Sequence, residues 1–289
     1  MNLRDWEYFV AVAEHKHFGR AAEACHVSQP TLSAQLKKLE QYLGVNLVER
    51  DSKRVWLTPV GQEMAVRARR LLNEAEGLKQ LARSQHNPLA GDIRLGAFPT
   101  LAPYLLPQVL PRVKKKLPEL RVFLVEEKTQ TLLQQLLQGE LDAALLALPV
   151  PANQFDAIPL YKEEFLLAVP AGHALARRKH ITLDELQGQQ LMLLEEGHCL
   201  REQALSVCQL AGAGENSAFR ASSLETLQQM VVGGLGVTLV PAMAAKTNVD
   251  GIRYIKFEQP PVREIALVFR HSDWRLKLWQ QLAQVLRAC

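Results

Sequence analysis

Four cysteines occur in the 289-residue chain, and two of them, Cys199 and Cys208, lie nine positions apart. They close a segment whose residue types could support thiol chemistry: Glu195-Glu196-Gly197-His198-Cys199-Leu200-Arg201-Glu202-Gln203-Ala204-Leu205-Ser206-Val207-Cys208. Gly197 breaks a strand expected over Leu191 to Leu194. Helical periodicity begins at about Cys199, with Leu200, Ala204, Val207 and Ala211 apolar. Cys199 then stands at a helix N-terminus, where unpaired N–H groups and the dipole favour the nucleophilic, oxidisable thiolate. His198 and Arg201 would reinforce that effect, and Glu195, Glu196 and Glu202 oppose it. The expectation is a lowered thiol pKa. Nine residues of α-helix separate two α-carbons by about 13–14 Å and place them about 180° apart around the axis. A disulfide needs roughly 4.4–6.8 Å, so linking these thiols requires the helix to melt. The residues alone also allow two inert thiols, one in a core and one near a helix start. Inertness is the plainer reading for Cys25, which falls at a core position, and for Cys289.

The elements around this pair follow an α/β rhythm from Asp92 onward. Strands are expected at Ile93 to Ala97, Leu120 to Val125 and Leu141 to Leu148, with helices between them. A second such set spans Glu163 to Glu258, and Ile265 to Phe269 and a helix from Trp274 return to the first. The apolar run Leu141 to Leu148 suits a buried parallel strand. In such sheets ligands sit at the carboxyl ends of strands beside helix N-termini. Thr100 and Thr129 fall after the first and second strands, so each could line a cleft or simply cap a helix. Ser222 and Ser223 invite the same two readings.

The first sixty residues have another rhythm. Leu3, Trp6, Phe9, Val10 and Ala13 make an amphipathic helix, His17-Phe18-Gly19 breaks it, and Arg20 to Cys25 form a short second helix with paired alanines. After a turn at His26-Val27, Ser28 caps a third helix with Pro30 in its first turn and Leu32, Leu36, Leu39 and Leu43 on one side. This is the helix-turn-helix pattern. The opposite face shows Gln29, Thr31, Ser33, Gln35 and Lys38, suited to phosphate and base-edge contacts or to a plain solvated face. Val45 to Arg50 and Arg54 to Thr58 alternate like strands around a turn at Asp51-Ser52-Lys53. Such a basic hairpin is a wing, and Arg50, Lys53 and Arg54 would meet phosphates. Pro59 opens a helix to about Gln85, with Val60, Met64, Ala68, Leu71, Ala75, Leu78 and Leu81 forming a seam for a second copy. Asn87-Pro88-Leu89-Ala90-Gly91 reads as a hinge.

Composition narrows the alternatives. The length suggests two or three folding units, and 48% hydrophobic with 22% charged residues excludes a disordered chain. No apolar stretch is long enough to span a bilayer, and acids occupy the place of a secretory apolar core, so the expected location is the cytoplasm. A reducing compartment disfavours a permanent disulfide framework and favours a switched or catalytic bridge. The net charge of +4 permits nucleic-acid binding without requiring it.

A resemblance sharpens these readings. Phe18, Ala21-Ala22, Ser28-Gln29-Pro30-Thr31-Leu32-Ser33, Leu36, Leu39-Glu40, Leu43-Gly44, Leu47, Arg50 and Leu57-Thr58-Pro59-Val60-Gly61 resemble the LysR-type transcriptional regulator signature. Cys25 and Val48 depart from it, standing where a leucine and a phenylalanine are usual. The implied architecture is α/β: a winged helix-turn-helix (1–58), a linker/dimerisation helix (59–87) and a two-lobed periplasmic-binding-protein-like regulatory domain (88–289). Gly197 to Arg201, Cys208, Phe219 to Leu227, Tyr104 to Pro107 and Gly236 to Pro241 resemble the peroxide-sensing members of that family. That likeness implies Cys199 as the peroxide-reactive cysteine and Cys208 as the resolving one. Thr100, Thr129 and His198 would bind hydrogen peroxide, and Ser28, Gln29, Pro30, Thr31, Ser33, Gln35, Lys38, Arg50, Lys53 and Arg54 would bind double-stranded DNA. Arg270 matches a family arginine of open role, and Ala218 replaces a histidine found in some relatives. The implied partners are RNA polymerase, a glutaredoxin or thioredoxin reductant and three further copies in a homotetramer, a dimer of dimers. No cofactor, metal, membrane or enzymatic turnover is expected. Two rivals remain: a regulator that binds an organic effector between its lobes, and a thiol peroxidase using the same cysteines. His198, Cys199 and Cys208 are too few ligands, too far apart, for a closed zinc site.

Overall fold

The computed structural model describes residues 1–50, 55–84, 87–247 and 249–287, without the side chains of Arg50, 80–84, Ser217 and Ala218. Two compact units divide the chain, 1–87 with 138–140 and 88–137 with 141–289.

In the first unit, helix α1 (Leu3–His15) starts with a reciprocal cap. The Asn2 side chain accepts from the Asp5 N–H at 3.0 Å, and the Asp5 carboxylate accepts from the Asn2 N–H at 2.7 Å. Lys16, at φ 48°, ends the helix. The second helix, α2 (Phe18–Ala24), begins two residues earlier than its composition suggests. His17 Nδ1 accepts from the Arg20 N–H at 3.3 Å, so the imidazole acts as a cap and Phe18-Gly19 join the helix instead of breaking it. Helix α3 (Gln29–Leu43) has its Ser28 cap, the hydroxyl accepting from the Thr31 N–H at 3.3 Å. Ala21, Ala22, Leu32 and Leu36 are almost fully buried where the three helices meet. Strands β1 (Val48–Arg50) and β2 (Val55–Leu57) pair antiparallel as the wing. Glu40 pins the wing to α3 by accepting from the Leu47 and Val48 N–H groups at 2.8 and 3.1 Å. Helix α4 (Pro59–Ser84) follows. A side chain at Gly61 would stand 2.0 Å from the Leu47 carbonyl oxygen, so only glycine lets α4 approach the wing this closely. The apolar seam of α4 divides. Ala68 packs into its own unit, while Val60, Leu71 and Leu78 stay 45%, 45% and 64% exposed.

The second unit opens with β3 (Gly91–Ala97), so Gly91 belongs to a strand and not to the hinge. Helix α5 (Ala102–Lys116), β4 (Leu120–Glu126), α6 (Thr129–Gln138) and β5 (Ala143–Ala147) complete a parallel trio, β4-β3-β5. Beyond it the expected parallel pairing holds only in part: His180–Ile181 with Lys256–Phe257 and Gln190–Leu194 with Gly214–Ala221 still pair parallel, but the strands between run antiparallel. Strand β6 (Phe155–Pro170) runs from one lobe into the other. Its first part pairs antiparallel with the returning β12 (Val262–Arg270), which pairs antiparallel with β5 as well. Its second part pairs with β10 (Thr238–Pro241) and β11 (Ile252–Phe257). Pro159 and the charged run Lys162-Glu163-Glu164 hide this strand from a period-two reading, and the register slips beside Pro159. The second lobe adds β7 (His180–Ile181), β8 (Gln190–Leu194), α7 (Cys199–Ala211), β9 (Gly214–Ala221), α8 (Leu224–Val232) and α9 (Ala242–Ala245). Helix α10 (Leu276–Arg287) returns to the first lobe, stacking Trp279 on Phe269 at 5.7 Å between ring centres. Each lobe buries its own apolar core.

Candidate thiol site and nucleic-acid interface

Cys199 is the first residue of α7 and Cys208 lies in its last turns, both as free thiols. The expected helix exists, so its geometry holds the sulfurs apart by about 13–14 Å of axial rise between α-carbons. They also belong to different packing environments. Cys199, although carried by the second lobe, packs at the margin of the first-lobe core. Cys208 is 3% exposed inside the second-lobe core among Leu191, Val207 and Leu239.

The Cys199 surroundings come from both lobes. Arg263 on β12 is fully buried; its Nε donates to Glu163 at 2.8 Å, and its Nη groups donate to the Thr100 hydroxyl at 3.1 Å and carbonyl at 3.0 Å. Glu163 also accepts from the Met243 N–H at 2.9 Å, and the guanidinium lies 5.1 and 5.7 Å from the Phe98 and Phe165 ring centres. Thr100 is thus bonded to Arg263, and the N-cap of α5 is Leu101 instead. The Thr129 hydroxyl lies beside the thiol and favours its anion, yet it finds no well-formed hydrogen-bond partner among the described residues. His198 is 5% exposed; its ring bonds the Ser222 carbonyl, and Nε2 has no hydrogen-bond partner among the described residues. Ser223 is the cap of α8, accepting from the Thr226 N–H at 3.1 Å.

Burial pushes the Cys199 thiol above its ordinary pKa. The Arg263 charge, the Thr129 hydroxyl and the Leu200 amide pull it down by less, and Glu202 raises it. The expected lowering is thus corrected: burial dominates, and neither cation expected to offset it does so. Arg201 is committed elsewhere, donating to both oxygens of Glu215 at 2.8 and 2.9 Å and to the Leu194 carbonyl at 3.1 Å. His198 brings no positive charge, because burial, aided by Lys128, holds its pKa below the ordinary value. Burial raises Cys208 as well.

On the first unit, Ser28, Gln29, Pro30, Thr31 and Lys38 are exposed, and Ser33 and Gln35 half-buried, along the outer face of α3. The Ser28 and Thr31 hydroxyls bond each other at 2.7 Å. Arg50 lies on β1; residues 51–54, with Lys53 and Arg54, lie outside the described residues, as does Cys289. Arg270 is structural, its guanidinium donating to the Leu136 and Leu141 carbonyls at 2.8 and 2.6 Å. Sequence reasoning missed Arg263, Glu163 and Lys128. For Arg263 a signal existed: it shares strand parity with buried Ile265, Leu267 and Phe269. Among the described residues, no group of His, Cys, Asp and Glu could hold a metal, and no helix is long and apolar enough to cross a membrane.

The bacterial regulatory helix-turn-helix protein, lysR family, matches residues 3–62, and the LysR substrate binding domain matches residues 86–288. The chain belongs to the LysR family. This LysR chain is 45% identical over 290 residues to a hydrogen peroxide-inducible genes activator of Pectobacterium carotovorum subsp. carotovorum, covering 99% of this chain and 96% of that protein. It is similar to full-length OxyR of Pseudomonas aeruginosa, solved with an aspartate in place of a cysteine. The identity is 38% and the TM-score 0.83, over 100% of this chain and 95% of the solved one. A cysteine-to-serine variant of Corynebacterium glutamicum OxyR, solved with hydrogen peroxide bound, is 37% identical with a TM-score of 0.69. It covers 99% of this chain and 91% of its own. The LysR architecture expected from sequence is therefore present, from the helix-turn-helix to the α/β domain behind it.

Proposed function

We propose that this LysR protein is a hydrogen-peroxide-sensing, DNA-binding transcriptional regulator. The observation that carries the reading is a thiol site with spare polar capacity. Beside Cys199, the Thr129 hydroxyl and His198 Nε2 are buried without hydrogen-bond partners among the described residues. Buried polar atoms left without partners are uncommon and costly. Peroxide, with two donors and four lone pairs, is small enough to satisfy them together with Thr100.

The chemistry balances as two displacements. The Cys199 thiol gives up its proton, and its sulfur attacks one peroxide oxygen; the O–O bond breaks, a sulfenic acid forms, and the leaving hydroxide takes a proton to become water. Neutral His198 is the neighbouring group with a lone pair to receive the thiol proton. The Cys208 thiolate then attacks the sulfenic sulfur, the S–S bond forms, and the second oxygen leaves as water. Two thiols and one peroxide become one disulfide and two waters. Because an intact α7 cannot hold that bond, the helix refolds, and the change passes to the DNA-reading unit.

The remaining assignments belong to the same proposal. The exposed face of α3, with Ser28, Gln29, Thr31, Ser33, Gln35 and Lys38, reads the major groove, and Arg50, Lys53 and Arg54 of the wing meet the backbone. The exposed Val60, Leu71 and Leu78 support pairing through α4, within a homotetramer that contacts RNA polymerase in the cytoplasm. Working boundaries are 1–58, 59–87 and 88–289. A glutaredoxin or thioredoxin resets the disulfide, and the protein is no enzyme: one oxidation event is the signal. Peptide mapping after stoichiometric peroxide tests this directly. The peptides carrying Cys199 and Cys208 should emerge joined; two unmodified peptides would reject the sensor.

A further inference from the structure

Lys128 precedes α6 in the first lobe and reaches the loop between β8 and α7 in the second. Its ammonium donates to Glu195 Oε1 at 2.6 Å and to the Glu196 carbonyl at 3.1 Å. Its methylenes lie along Gly197, where an added side-chain carbon would stand 3.1 Å from Lys128 Cδ. The same Glu195 oxygen lies 3.9 Å from His198 Nε2. One carboxylate oxygen thus faces two nitrogens, an ammonium that holds it and an imidazole nitrogen that has no hydrogen bond among the described residues. Among the described residues, the charged groups acting on the imidazole are Lys128 from the first lobe and Glu195 from its own loop. From the segment after β9 the Ser222 carbonyl accepts from the ring, and Cys199 follows directly in the chain.

We propose that Lys128 is a positioning residue of the thiol site: by holding the Glu195 carboxylate it keeps the His198 imidazole unprotonated, with Nε2 open to the reacting molecule. The inference rests on the peroxide reading. Without Lys128, the freed carboxylate is one short side-chain movement from His198 and would draw a proton onto Nε2, while the repulsion that now disfavours an imidazolium is gone. Both consequences act in the same direction. A protonated ring paired with Glu195 could neither accept the Cys199 proton nor bond peroxide through its lone pair. The electrostatics agree, since Lys128 lowers the proton affinity of His198 and Glu195 raises it.

The test uses the full-length protein with histidines labelled for NMR titration, and stopped-flow oxidation of Cys199 by hydrogen peroxide across pH. In Lys128→Met, His198 should titrate at higher pH than in the parent. Oxidation near pH 6 should slow by roughly threefold or more, with the difference vanishing in alkali, where the imidazole is neutral in both. Lys128→Arg should follow the parent. The decisive variant is Lys128→Met with Glu195→Gln, which also removes the carboxylate: His198 and the rate profile should return toward the parent. A merely structural strap between the lobes would be as broken in this double variant as in the single one. The proposal is overturned if His198 titrates no higher in Lys128→Met, or if the double variant stays as slow as the single. If the parent itself ignores peroxide, the sensor reading falls, and the titration order alone still decides whether Lys128 governs His198.

Discussion

The two units of this chain use similar polar residues in opposite surroundings. Along α3, Gln29, Thr31 and Lys38 stand in water. Around Cys199, Thr100, His198 and Arg263 are at most 5% exposed. A large partner brings its own surface and desolvates an open face on arrival, so α3 needs no preformed cavity. A molecule of a few atoms cannot do that, and its site must be built dry, with every charge already matched. The Arg263–Glu163 pair illustrates this demand, because each charge is tolerable in the core only through the other. The comparison also separates reading from sensing: substitutions at the open face should spare the thiols, and substitutions at the thiols should spare the open face.

The most severe way to sharpen that division is Cys199→Ser. It should abolish the response of DNA footprints to micromolar peroxide while leaving the resting footprint unchanged; a responsive variant would refute the role of Cys199. Replacing Gln29 and Thr31 together by alanine should do the reverse. At about 1–3 kcal/mol for each side chain that no longer reaches a base edge, specific binding falls by roughly 30-fold or more while disulfide formation proceeds normally. Unaltered footprints would mean that α3 is not the reading helix. Removing one partner of the buried pair, in Arg263→Met, should cost about 3–5 kcal/mol of stability in denaturant titration. The double change with Glu163→Gln should cost less, since no uncompensated charge remains. Cys208→Ala should be far milder, about 1 kcal/mol, and should let a sulfenic acid at Cys199 accumulate to levels visible with a dimedone-type trap.

The smallest effect is acid sensitivity. His198 is buried with its pKa below the ordinary 6.5, so the unfolded chain binds the extra proton first. Stability is complete above 6.5 and declines as pH falls from there toward the lowered folded value. A His198→Asn variant should lack that part of the slope; an identical slope would show that other groups produce it.

Legibility in the sequence follows the same contrast. The front unit is readable almost to the residue, because its helices are amphipathic, its caps local, and its motif contiguous. The exception, His17, is a cap of a type that composition does not flag. The helix from Cys199 and its bearing on disulfide formation are also visible, since periodicity and spacing suffice. What stays hidden depends on partners distant in the chain. Strand β6 reads as broken because a period-two rule stops at its proline and charges, although its neighbours accommodate them. The direction of the Cys199 shift escapes sequence reasoning because the burial that raises it comes from tertiary packing, and because Arg201, which looks available to oppose it, is held by Glu215, fourteen residues on. Lys128 is sixty-seven residues from Glu195, and no local pattern joins them.

The central claim is that a disulfide between Cys199 and Cys208 cannot coexist with α7. Hydrogen exchange across residues 199–211, compared between the dithiol protein and protein treated with stoichiometric peroxide, tests it most directly. The account predicts that amide protection in this segment collapses in step with disulfide formation, while α3 keeps its own. An α7 that stays fully protected after the two sulfurs have been joined would contradict it.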